Sequence, residues 1–115
     1  MNEALFVFVR IPEAIGPLDR GEKYEDPLEQ ALESTGLGSV TGGGEMLSAP
    51  DGKGRREIEY CGIDVDLFDP ELGLELLRTE LKRLEAPRGT VLEYELDGIR
   101  YETDIYERDT FDKAH

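Results

Sequence analysis

The amino-acid sequence predicts an α+β fold: a ferredoxin-like βαββαβ sandwich with an extra C-terminal β-strand, a mainly antiparallel sheet and two helices on one face. Stretches with strand character alternate with two stretches of helical periodicity, and each helical stretch begins at an Asp-Pro pair. Placing both helices on one face of the sheet buries the apolar side of every element, and right-handed crossovers favour the split βαβ arrangement.

Two helices are expected, and they begin in the same way. Asp26 and Asp69 suit N-cap positions, and the proline that follows each of them fits the first turn of a helix. Gly36 supplies a stop signal for the first helix. The apolar faces consist of Leu28, Ala31 and Leu32 in the first helix, and of Leu74, Leu77, Leu81 and Leu84 in the second.

Four of the five expected strands are predicted from their residue composition and from the turn residues beside them. Residues 4–9 are β-branched and aromatic, which is typical of a central strand that is buried on most sides. Residues 36–47 contain too many glycines for a helix and predict a strand with a bulge or a close backbone contact. Residues 90–96 and 99–106 flank an Asp-Gly pair, which suits a two-residue type I′ hairpin turn.

The remaining strand begins after a turn at residues 50–54 and shows a clear alternation from Glu57 onward. Its inner row is Cys61, Ile63, Val65 and Leu67, and its outer row is Gly62, Asp64, Asp66 and Phe68. Because Ile58 and Tyr60 are out of phase with the inner row, a bulge is expected near Cys61.

The length and charge of the chain limit its size class and its partners. At 115 residues it fits one domain, which we expect to span residues 1–108, followed by a C-terminal tail at 109–115. The 13 Lys and Arg against 27 Asp and Glu give a formal net charge of -14. Such a charge repels nucleic acids and anionic membrane surfaces, so neither is an expected partner.

The sequence also predicts a cytoplasmic, soluble protein. No apolar run approaches the roughly 20 residues that a membrane-spanning helix needs, and the N-terminus lacks the basic residues of a secretory signal. The single cysteine, Cys61, has no disulfide partner in the chain and lies in an apolar strand pattern. We therefore expect a small buried core residue rather than a reactive thiol.

Most catalytic signatures are missing from the sequence. His115 is the only histidine and the last residue, which disfavours His-based triads and His-rich metal sites. The serines lack a nucleophile-elbow context, and the glycine spacing fits neither a dinucleotide-binding loop nor a P-loop. We predict no catalytic residue, no bound metal and no cofactor, and we favour a non-enzymatic protein over an enzyme.

Two groups of residues are candidates for binding. They are Thr41, Gly42, Gly43, Gly44 and Glu45 in the glycine segment, and the acids Asp64, Asp66, Glu93, Glu95 and Glu102. The glycines have two interpretations, close packing under a neighbouring element or a ligand-binding loop. Asp64 and Asp66, about 7 Å apart on one side of a strand, would hold Mg²⁺ or Mn²⁺ only with a third acid. Otherwise they belong to a solvated acidic sheet face.

Several segments together resemble an uncharacterised family of small bacterial ferredoxin-like α+β proteins. The segments are residues 26–32, 63–69 and 86–90, together with 36–44, which carries a Gly-x-Gly-x-x-Thr-Gly-Gly-Gly pattern. The resemblance covers most of the chain beyond the first strand. It implies one compact domain and transfers no catalytic residue.

Three functional hypotheses follow. The first is a protein-interaction module, similar to immunity proteins and nuclease inhibitors, that presents acidic residues to a basic partner protein. The second is a small-molecule or divalent-metal-dependent enzyme, or a ligand-binding regulatory domain, that uses the glycine segment with Asp64 and Asp66. The third is a regulatory module in which two copies join through their sheet edges and bind a ligand between them. The chain is accordingly expected to be a monomer or a homodimer joined through sheet edges.

Overall fold

Strand β1 (Leu5–Ile11) occupies the centre of a five-stranded antiparallel sheet in the computed structural model, which describes residues 3–107. The strand order is β2 (Gly38–Leu47), β3 (Ile58–Leu67), β1, β4 (Val91–Leu96) and β5 (Ile99–Asp104). Two helical segments complete the structure, one before β2 and one between β3 and β4. The predicted α+β class with an antiparallel sheet is therefore confirmed.

Alternate residues of the two central strands form the floor of the core. Val7 and Val9 of β1 are fully buried and lie opposite Val65 and Ile63 of β3. The prediction that residues 4–9 are buried on most sides is wrong, because Phe6 is 51% exposed. A continuous apolar run does not show which side of the strand another element covers.

The second helical segment, α3 (Pro70–Arg83), follows its predicted pattern. The Asp69 side chain accepts a hydrogen bond from the Leu72 amide, which confirms the N-cap. Leu74, Leu77 and Leu81 are buried in the same hydrophobic cluster as the floor of the sheet.

The first helical segment begins ten residues earlier than predicted. It consists of α1 (Pro17–Arg20), a π-helical turn (Gly21–Glu25) and α2 (Asp26–Thr35). Asp26 has helical dihedral angles and makes no side-chain cap, so its predicted N-cap role is wrong.

The π-helical turn explains how this segment continues through Pro27. Proline has no amide hydrogen and its ring clashes with the carbonyl four residues earlier in an α-helix. Here the Asp26 amide bonds to the Gly21 carbonyl, five residues back, which widens the turn just before Pro27. The end of the segment matches the prediction, since Gly36 adopts a left-handed conformation with φ of 71°.

Strand β2 contains the irregularity that its glycines predict. Thr41 is an extra residue, because Val40 faces Val65 while Gly42 faces the next residue, Asp64. A second irregularity pairs Met46 and Leu47 with Tyr60 and Ile58, which confirms the bulge expected near Cys61.

The remaining expectations concern the C-terminal part and membranes. Asp97 and Gly98 have φ angles of 53° and 79°, which confirms the positive-φ hairpin turn. The predicted tail, with His115, lies outside the described residues. Among the helices of residues 3–107, none is long and apolar enough to span a bilayer.

The packing of β2 yields a paired prediction. A Cβ atom at Gly38 would clash with the backbone carbonyl of Asp66, whereas one at Gly44 would meet nothing within 4 Å. Gly38→Ala should therefore lower the free energy of unfolding by about 1–3 kcal/mol. Gly44→Ala should leave it unchanged or raise it by up to about 1 kcal/mol. Urea unfolding of both variants tests this, and equal effects would contradict it.

Candidate functional site

The side of the sheet opposite the core carries the second set of alternating side chains, and we call it the open face. The buried leucines of both helical segments belong to the core on the other side. The open face includes Phe6, Phe8, Arg10, Gly42, Gly44, Met46, Tyr60, Gly62, Asp64, Asp66, Glu93, Glu95, Arg100 and Glu102.

Phe6 and Phe8 of β1 lie along the middle of the open face. In the register of β1 and β3, Phe6 is opposite Asp66 and Phe8 is opposite Asp64. The Phe8 ring also occupies the space above Gly62, where any Cβ atom would clash with it. An aromatic row therefore runs along the central strand, with carboxylates of the neighbouring strand beside it.

The half of the open face formed by β4 and β5 has its own cations. Arg10 Nε lies 3.5 Å from a Glu93 carboxylate oxygen, and Arg10 Nη2 lies 3.8 Å from Glu102. Arg100 Nη2 approaches Glu93 at 3.3 Å. The Arg10 guanidinium also lies over the Tyr60 ring, 5.8 Å from its centroid. Basic side chains thus partly neutralise the acids of this half.

The half formed by β2 and β3 has a different electrostatic character. Within residues 3–107, neither Asp64 nor Asp66 forms an ion pair with a basic side chain. Across the strand pair, Gly42 faces Asp64 and Gly44 faces Gly62, so the β2 residues opposite these two positions have no side chain. The negative charge of Asp64 is therefore open to solvent on the β2 side.

Two shallow grooves cross the open face. One, of about 410 Å³, lies between β1 and β4 and is lined by Phe6, Phe8, Glu93, Glu95 and Arg100, among others. The other, of about 280 Å³, lies between β2 and β1 over β3. We call the second groove the β2–β3 trough, and its lining includes Phe8, Gly44, Met46, Tyr60, Gly62 and Asp64.

Glu45 and Gly43 lie on the other side of β2, against the first helical segment. Arg20 is buried there and donates to Glu25 at 2.6 Å and to Glu45. Burial alone would lower the pKa of Arg20, but the carboxylates of Glu25 and Glu45 raise it. A Cβ atom at Gly43 would lie 2.7 Å from the Gly62 carbonyl oxygen. This cluster fastens the helical segment to β2.

A second polar cluster lies beside Cys61, which is buried as predicted. Burial, followed by the charge of Glu13, raises the pKa of Cys61 to about 11, so the thiol is protonated at neutral pH. Glu13 accepts hydrogen bonds from Lys23 at 2.7 Å and from the Tyr24 hydroxyl. Burial raises the pKa of Glu13, but these two donors outweigh it and lower the pKa below its ordinary value.

The ten residues that the sequence predicted for binding lie in three different places in the structure. Thr41, at the bulge, donates a hydrogen bond to the Asp64 carbonyl at 3.3 Å. Gly43 and Glu45 face the first helical segment. The others lie on the open face, and they are Gly42, Gly44, Asp64, Asp66, Glu93, Glu95 and Glu102. Asp64 and Asp66 lack the third acid that a cation needs, since residues 3–107 contain no group of three potential metal ligands.

The sequence reasoning missed the aromatic and basic residues of the site, together with one methionine. These are Phe6, Phe8, Arg10, Tyr60 and Met46. A usable signal was present, because Arg10 follows Phe6 and Phe8 at two-residue spacing and an arginine is rarely buried. That spacing places both phenylalanines on the side of the strand that carries the charge.

Comparison with known proteins supports the fold. No family model and no curated protein matches this sequence. Among solved structures, the chain is similar to a phage SAM lyase in complex with S-methyl-5′-thioadenosine. The identity is 11% and the TM-score is 0.50, over 90% of this chain and 92% of that one. At this level of identity, the likeness shows a shared fold alone.

The Glu13 cluster predicts a pH-dependent contribution to stability. Because the folded-state pKa of Glu13 is lowered, its contribution is present above the unfolded-state pKa and is lost as pH falls through the folded-state value. Glu13→Gln should destabilise the protein by about 1 kcal/mol at neutral pH. The difference from wild type should shrink below about pH 4. Urea unfolding across this range measures it, and a constant difference would contradict the prediction.

Proposed function

We propose that this chain is a non-enzymatic protein-interaction module whose open face binds a basic partner protein, as immunity proteins and inhibitors do. The observation that carries the proposal is the aromatic row of the open face, exposed Phe6 and half-buried Phe8. It is bordered by the carboxylates of Asp64 and Asp66 on one side and Glu93 on the other. Aromatic side chains supply contact area, while surrounding charges select the partner and speed association.

Charge complementarity defines the chemistry of the partner. The chain has a formal net charge of -14, so a second copy or another acidic protein would be repelled over the distances at which partners meet. A partner rich in arginine and lysine would be attracted to the open face. That choice is favoured by the partly neutralised acids around Arg10. It is also favoured by Asp64 and Asp66, which form no ion pair within residues 3–107.

We also propose the finer fold assignment, a ferredoxin-like βαββαβ unit with β5 as the extra C-terminal strand. The order β2-β3-β1-β4, with β5 added at the edge beside β4, supports it. The contacts between α2 and α3 and their shared cluster with the floor of the sheet support helices on one face. That arrangement leaves the other face available for the partner.

Site-specific photo-crosslinking tests the proposed function. A photoreactive phenylalanine analogue is introduced at Phe6 on the open face or, as the control, at Leu18, which is 77% exposed on α1. In the native host, position 6 should capture a basic protein that position 18 does not. With that purified partner, Phe6→Ser should weaken binding by about tenfold or more, whereas Leu18→Ser should change it by less than about twofold.

Three results would contradict the proposal. They are capture from position 18 alone, capture of an acidic partner, and affinity that does not fall between about 50 mM and 500 mM salt. Failure to capture any protein would favour the alternative, a small-molecule enzyme or ligand-binding regulatory domain using Gly42–Gly44 with Asp64 and Asp66. S-methyl-5′-thioadenosine, the ligand named with the phage SAM lyase, would then be the first compound to titrate.

A further inference from the structure

The two halves of the open face differ in a way that identifies where a partner's cation would bind. In the β4–β5 half, Glu93 and Glu102 already lie near Arg10, and Glu93 also near Arg100. In the β2–β3 half, Asp64 lies at the end of a trough with no basic side chain of residues 3–107 in ion-pair contact. Carboxylates alone would indicate only a solvated acidic surface. The Asp64 carboxylate, however, adjoins the apolar side chains that line the trough.

The trough combines the two surfaces that a long basic side chain requires. Phe8, Tyr60 and Met46 supply apolar walls, and Asp64 supplies the negative charge. Gly44 supplies space, because a Cβ atom there would meet nothing within 4 Å, whereas the missing side chain at Gly62 makes room for the Phe8 ring. Arginine and lysine bury their aliphatic stems against apolar surface and keep their charged ends beside a carboxylate or water.

The molecule already contains an example of this recognition. Arg10 lies over the Tyr60 ring, 5.8 Å from its centroid, and its guanidinium is close to two carboxylates on β4 and β5. The trough offers a similar combination of an aromatic ring, Phe8, with the adjacent Asp64 carboxylate. A planar guanidinium stacks on aromatic rings and pairs with carboxylates, which favours arginine over lysine as the occupant.

We propose that the β2–β3 trough binds a single arginine side chain of the basic partner, with its stem along Phe8 and Met46 and its guanidinium at Asp64. This inference rests on the proposed function and adds the anchoring residue to it. It also gives the glycine segment a role, because side chains at Gly42 and Gly44 would close the trough from the β2 side.

Binding of hexa-arginine and hexa-lysine at about 0.15 M salt, followed by amide NMR, tests the proposal. The largest shifts on adding hexa-arginine should occur at Gly42, Gly44, Gly62 and Asp64. Asp64→Asn should weaken binding by about tenfold. Glu95→Gln, which removes the same charge from the other half, should weaken it by less than about twofold. Hexa-lysine should bind several-fold more weakly than hexa-arginine.

A steric variant gives an independent readout. Gly44→Val fits the strand, because a Cβ atom there meets nothing within 4 Å and valine favours strands. It should block the trough and weaken hexa-arginine binding by about tenfold. The control Gly52→Val, at another glycine with open space around its Cβ position, should not.

The outcomes separate this inference from the proposed function. Equal weakening by Asp64→Asn and Glu95→Gln, or shifts centred on β4 and β5, would overturn the trough while leaving the open face as the binding surface. Equal affinity for the two peptides would overturn the choice of arginine. No binding of hexa-arginine, together with capture of a basic partner at position 6, would overturn the trough alone; failure of both experiments would overturn both.

Discussion

One-sided packing against the central strands is the constraint on which the rest of the structure depends. The buried row of β1 and β3 meets the leucines of both helical segments in a single cluster. Each buried side chain of this size contributes roughly 1.5–3 kcal/mol relative to exposure. Because both helical segments pack against this row, the alternate side chains of the same strands point away from the helices and form the open face.

The period of two along the strands then assigns opposite roles to neighbouring residues. On β1, Val7 and Val9 hold the core while Phe6 and Phe8 form the aromatic row. On β2, Gly43 accommodates the Arg20 cluster, whereas the glycines on either side of it leave the trough open. Three consecutive glycines, which look equivalent in the sequence, therefore belong to two different surfaces: Gly43 to the helix-covered side of the sheet, and Gly42 and Gly44 to the open face.

Much of the fold was predictable because its signals are local. The Asp69 cap, the leucine stripe of α3 and the Asp-Gly hairpin each depend on a few adjacent residues. The start of the first helical segment was not predictable from the Asp26-Pro27 pair, since a π-helical turn upstream allows the proline to lie inside a continuous segment. Buried Tyr24 and Arg20, whose partners are distant in sequence, stabilise that earlier start.

The site was predictable only in part, and for a related reason. The alternation of residues along the strand predicts that Asp64 and Asp66 lie in an outer row, and their charge indicates that this row faces solvent. Phe6 and Phe8 stand in an apolar run, where nothing local distinguishes the covered side from the uncovered one. Register across β1 and β3 was needed to bring the aromatic row beside the carboxylates.

Thiol labelling of cysteines along β1 tests the one-sided packing most directly. With Cys61 replaced by alanine, single cysteines are introduced at positions 6, 7, 8 and 9, and their reaction with a thiol reagent is timed in the native protein. One-sided packing predicts reaction at positions 6 and 8 and protection at 7 and 9 until the protein unfolds. Protection at all four positions, or reaction at 7 and 9, would contradict it.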